Sequence, residues 1–162
     1  MPSASTAELD RAAVPVPAVV GSPALGRPGV LLLVSALLIA VSGGVHVRLF
    51  REAYRDIHLD RILGVDLAGS FVLAVAAATA TSVLLVAAVA FRRAEGAAAV
   101  AGIAYAVGSI LAYGLSRTIG VLGFEEDRWI PEAVLSKPVE LAVVVLLGIA
   151  LVASRRRTIA ST

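Results

Sequence analysis

No cysteine occurs in the chain, so a disulfide framework, a thiolate zinc site and a cysteine nucleophile are all excluded. Charge is scarce as well: Asp, Glu, Lys and Arg make up 16% of the residues, against about 25% in an ordinary soluble domain. With 59% hydrophobic residues across 162 positions, a water-soluble fold would be apolar on nearly every face. Lipid is the remaining solvent. A formal charge of only +2 gives no basic footprint for nucleic acid. Aromatic residues are few, at 5%. Alternating strand patterns are missing, which excludes a membrane barrel.

The sequence instead has long gaps between charges. A helix needs about 20 apolar residues to cross a hydrocarbon core of about 30 Å. Arg27 and Arg48 enclose 20 uncharged residues, Asp66 and Arg92 enclose 25, and Glu95 and Arg117 enclose 21. Glu140 and Arg155 enclose only 14, so the fourth window spans only if Lys137 and Glu140 enter its first turns. The expected fold is all-α, a transmembrane four-helix bundle with spans at about 28–50, 62–91, 96–116 and 133–154. Pro28 falls in the first turn of the first helix and Pro138 in the early turns of the fourth, where a missing N–H costs least. Residues 1–27, rich in Pro, Ala, Ser and Val, are expected to form a disordered cytoplasmic tail, and 155–162 a short basic tail. A secretory leader cleaved near Ala40-Val41-Ser42 is the competing reading of the N-terminus; its length and weak charge argue against it.

Four spans put both termini on one side, and the cations then divide evenly. Arg11, Arg27, Arg92, Arg93, Arg155, Arg156 and Arg157 lie with the termini; Arg48, Arg51, Arg55, Arg61, Arg117, Arg128 and Lys137 lie opposite. The acids are lopsided: three lie with the termini and nine at the other end. The Arg92-Arg93 turn and the Arg155–Arg157 run flank helices directly. These features favour termini in the cytoplasm of a multi-pass plasma-membrane protein.

Nearly all unusual residues gather at the end away from the termini. The first loop carries Tyr54, Arg55, Asp56, His58 and Asp60; the second carries Glu125, Glu126 and Trp129. Asp66, Arg117, Lys137 and Glu140 form a charged cluster at the membrane edge of that end. A charge at the bilayer centre costs about 2.5–3.5 kcal/mol on insertion scales, so such groups pair inside the bundle. The expected pairs are Arg117–Glu140 or Arg61–Asp66, locking the bundle end. A proton or ion path through Asp66, Arg117 and Glu140 is the sharper alternative. The inner halves of the helices carry no ionisable residue to complete it. His46 and His58 offer imidazole for a metal or haem, but their spacing matches no ligand motif, and no cofactor is expected. Tyr54 and Trp129 read as interface anchors, and the acidic run Glu125–Asp127 as a solvated loop. Gly102, Ala106 and Ser109 make a small-residue stripe for a close neighbour, and Ala76, Thr79, Ala80, Ser82 and Ala87 offer similar packing on the second helix. There is no Ser-His-Asp pattern, Gly-rich phosphate loop or rhomboid-like serine motif.

The stretch from Tyr54 to Leu67 with Ser70-Phe71, and the stretch from Ser116 to Glu126 with Trp129, Glu132-Ala133 and Lys137-Pro138-Val139-Glu140-Leu141, resemble a family of small four-span membrane proteins from actinobacteria. The resemblance covers roughly residues 30–153. It implies the topology and an actinobacterial origin. That family carries no assigned activity, so no catalytic residue follows from it. Taken together, the residues point to a non-enzymatic accessory or scaffold subunit that contacts lipid and other membrane proteins or copies of itself. A small oligomeric transporter or channel is the first alternative, and metal or haem binding the second.

Overall fold

The computed structural model describes residues 26–54, 67–120, 125 and 129–160. Four helices account for almost all of them: α1 (Arg27–Leu49), α2 (Leu67–Phe91), α3 (Glu95–Thr118) and α4 (Pro131–Ala160). Among the described residues there is no strand. Each helix is long and apolar enough to cross a membrane. They pack in order around a ring: α1 lies against α2 and α4, and α3 against α4 and α2. The protein is a transmembrane four-helix bundle. Most of the tail expected at 1–27 falls outside the described residues.

Local sequence explains the helix limits. Gly26 precedes α1 in an extended conformation with Pro28 in the first turn, where a missing N–H is harmless. After Leu49 the chain continues as a π-helical turn, Phe50–Tyr54. Arg92 and Ala94 both take positive φ in the turn to α3, and the amides of Arg92 and Arg93 bond back to Val89 and Ala88 of α2. This reversal needs only three residues. The fourth helix begins at Pro131, two residues before the expected start. Pro138 therefore lies in the helix interior and not in its first turns. Its missing N–H leaves the Val134 carbonyl without the usual helical donor.

The packed faces follow a three-and-four spacing. On α4 the buried residues are Ala133, Ser136, Glu140, Val143, Leu147 and Ala150. On α1, Leu32, Ser35, Ile39, Ser42 and Leu49 repeat the pattern. This is the seam of a left-handed bundle. One layer joins all four helices: a Cβ placed on Gly102 would overlap Leu147 Cδ1 and touch Ile39 and Leu85. Nearby, a Cβ on Gly43 would come within 2.9 Å of Ala78 Cβ, so α1 and α2 approach closely there. The Gly102–Ala106–Ser109 stripe does face α4. The stripe expected on α2 faces inward only in part: Ser82 Oγ donates to the Ala36 carbonyl of α1 at 3.1 Å, and Ala87 is half-buried. Ala76, Thr79 and Ala80 are exposed, and Ala78, Leu85 and Ala88 are buried in their place. The outer surface is otherwise apolar, with Val72, Val83, Leu111 and Leu135 all exposed, as a lipid-facing surface requires.

Candidate functional site

Glu140 occupies a seam position on α4 and is 1% exposed. It is the tenth residue of the 25-residue span Pro131–Arg155, about 14 Å from the helix start at 1.5 Å per residue. Its Oε1 accepts hydrogen bonds from Ser42 Oγ on α1 and Ser109 Oγ on α3, both at 2.8 Å. Its Oε2 accepts from Lys137 Nζ at 2.7 Å. Lys137 Nζ also donates to Ser109 Oγ at 3.2 Å and lies 5.2 Å from the Tyr113 ring centroid.

One carboxylate thus ties three helices together. An ionised carboxylate offers about four acceptor positions, and three are filled here. The lysine stem lies along the protein, leaving 18% of its side chain exposed. The pair sits one helical turn apart on the same helix, which requires no loop to be ordered for it to form.

The expected partner of Glu140 was Arg117, and the structure replaces it with Lys137. Arg117 lies eight residues beyond Ser109 on α3, about 12 Å along the axis, too far along the helix to reach the carboxylate. Its guanidinium lies 4.6 Å from the centroid of the Trp129 ring. Trp129 is 75% exposed, and Glu125 is exposed too. Tyr54, expected as an interface anchor, is buried at 5% exposure and stacks on Phe71 at 5.1 Å. Phe50 adds to this cluster, 5.7 Å from Phe71. The reason is the π-helical turn, which carries the helix past Leu49 and brings Tyr54 back against α2. Arg55, Asp56, His58, Asp60, Arg61, Asp66 and Glu126 lie outside the described residues. At the rim, Arg48 bonds to Glu52 at 2.9 Å and faces Glu132 at 3.9 Å.

His46 sits in the last turn of α1. Its Nδ1 lies 2.8 Å from the Ser42 carbonyl, so that nitrogen carries the proton and donates. In the neutral ring Nε2 is then an acceptor. No metal-holding group of three His, Asp or Glu side chains occurs among the described residues.

Above the Glu140 network the bundle opens. A cleft of about 470 Å³ lies between α2 and α3, within the range of about 300–1,000 Å³ typical of ligand sites. Its side walls are small: Ala74 and Ala77 on α2, Ala104, Gly108 and Ala112 on α3. A Cβ at Gly108 would meet nothing within 4 Å. These residues are too small to close the gap between helices held apart at this end. Tyr105 and His46 stand in the cleft wall. The Tyr105 hydroxyl is buried and makes no hydrogen bond of good geometry among the described residues; Ser42 Oγ, which gives its proton to Glu140 and can still accept, stands close to it.

Sequence reasoning did not single out Ser42 or Tyr105 as site residues. Ser35 and Ser42 stand seven residues apart, and that heptad spacing within an apolar window marks a helix seam. For Tyr105 the sequence holds no signal beyond its being aromatic in an aromatic-poor chain.

No family model, curated protein or solved structure matches the chain, and its function is read from its geometry.

Proposed function

We propose that this multi-pass membrane protein is a non-enzymatic accessory or scaffold subunit of a larger membrane assembly. The observation that supports this most is the hold of three donors on Glu140. A relay carboxylate has to exchange partners during turnover. This one is held by two serines and a lysine in a buried setting, where losing a partner is costly. Below it, the core toward the termini is Ile39, Leu85, Leu147, Val143 and alanines, which give an ion or proton no stepping stone. The network fits a rigid bundle whose shape, rather than its chemistry, is used. The likeness to small actinobacterial four-span proteins is part of this reading and contributes topology alone. The reading places the protein in the plasma membrane with both termini in the cytoplasm, supported by the acid-rich opposite end, the arginines of the turn between α2 and α3, and those in the last turns of α4.

Crosslinking in native membranes, followed by purification in mild detergent, tests the proposal. The expected result is a discrete complex containing a second polypeptide or further copies of this chain. A monomer with no crosslinked partner would overturn it. In proteoliposomes the wild-type protein should show no ion or proton flux, and flux abolished by Glu140→Gln would transfer the assignment to a transporter.

A further inference from the structure

The cleft between α2 and α3 has a lining at odds with the composition of the chain. Of four Phe, three Tyr and one Trp, all three tyrosines and Phe71 line this one space, with His46 beside them. In a chain with 5% aromatics this concentration is unusual, and only part of it is accounted for by Tyr54 and Phe71 stacking on each other. An acyl chain gains little from ring faces compared with Leu or Val. A planar ring gains offset and edge-to-face contacts, each worth about 0.5–1.5 kcal/mol beyond area alone.

Two polar atoms of lining residues, one on α3 and one on α1, are left over. The Tyr105 hydroxyl is a buried donor with no hydrogen bond of good geometry among the described residues. His46 has its Nδ1 proton committed to Ser42, which leaves Nε2 as an acceptor with no hydrogen bond among the described residues. A buried hydroxyl without a partner is uncommon in a native fold. The cleft therefore offers one donor and one acceptor among aromatic rings, and its mouth opens between two lipid-facing helices.

We infer that this cleft binds a membrane-soluble amphiphile with a planar phenolic ring, of the hydroquinone class, entering sideways from the bilayer. Each hydroxyl of such a ring both donates and accepts. One takes the Tyr105 proton, and the other gives its own to His46 Nε2. The ring lies against Phe71 and Tyr113, and the apolar tail leaves past Gly108 between α2 and α3. The site is independent of the scaffold reading, since a subunit of either kind can hold a bound amphiphile.

Calorimetric titration of the purified full chain in detergent tests this, with decylhydroquinone under argon as the probe. Decanol controls for the tail, and the dimethyl ether of the same probe controls for the ring without its hydroxyl protons. Saturable binding of decylhydroquinone at one site per chain is expected. Removing a hydrogen bond that the site depends on should weaken binding by about tenfold, so the dimethyl ether and Tyr105→Phe should each show a loss of that size. Gly108→Leu, at a position where an added Cβ meets nothing within 4 Å, should abolish saturable binding while the variant keeps the helical content and thermal stability of the wild type. If decanol or the dimethyl ether binds as well as decylhydroquinone, the cleft is a tail groove and the inference is wrong. Binding unchanged by Gly108→Leu would place the probe elsewhere and overturn it equally.

Discussion

Lys137 Nζ lies 2.7 Å from Glu140 Oε2, one turn away on α4, and the pair sits inside the bundle. A charge pair between neighbours on one helix usually decorates a surface and contributes a few tenths of a kcal/mol. Here the carboxylate is turned to the seam, and its second oxygen gathers Ser42 and Ser109 from two other helices. The interaction is local in sequence, but its consequence is tertiary.

The serines should therefore matter unequally. Ser42→Ala and Ser109→Ala each remove a donor to a buried carboxylate and should cost about 1.5–3 kcal/mol. Ser35 is as buried as Ser42, but its hydroxyl has no partner among the described residues, so Ser35→Ala should be neutral or slightly stabilising. Equilibrium unfolding in mixed detergent micelles, compared across the three variants, checks the order.

The glycines divide in the same way. Gly43→Ala would set a methyl 2.9 Å from Ala78 Cβ, an atom with no rotamer to escape into, and should destabilise the bundle by about 1–3 kcal/mol. Gly114→Ala meets nothing within 4 Å and should stabilise by about 0.5–1 kcal/mol through helix propensity. Thermal denaturation of the two variants in one detergent separates the effects.

The four spans were legible in the sequence because lipid forbids charge, so the gaps between charges mark the helices directly. The rotation of each helix was not. An α2 apolar on every side carries no amphipathic phase, so Ala76 and Ala80 read as well for packing as Ala78, although only Ala78 is buried. The start of α4 was missed for a different reason. Nothing in Trp129-Ile130-Pro131 announces a helix start except Pro131 itself, and a start at Ala133 left Glu140 nearer the rim. Arg117 looked as suitable a partner as Lys137 on charge alone. Only the axial distance along α3 excludes it.

Topology can be read with single cysteines, because the native chain has none. Ala94→Cys lies in the turn before α3, and Glu125→Cys lies beyond its far end. A membrane-impermeant maleimide should label Glu125→Cys in intact cells and Ala94→Cys only after permeabilisation. Labelling of both from one side would contradict a spanning α3, and the reverse order would invert the proposed orientation.

The most direct test of the Glu140 network as a structural lock is a double-mutant cycle on Lys137→Met and Glu140→Gln, read as unfolding free energy in detergent. Breaking a buried pair from one side typically costs about 3–5 kcal/mol, whereas replacing both partners with uncharged groups is far milder. The account predicts that each single variant is strongly destabilised and that the double variant recovers much of the loss, with a coupling energy within the range of about 0.5–3 kcal/mol seen for contacting residues. Single variants as stable as wild type, or a double variant whose loss is the sum of the two, would contradict it.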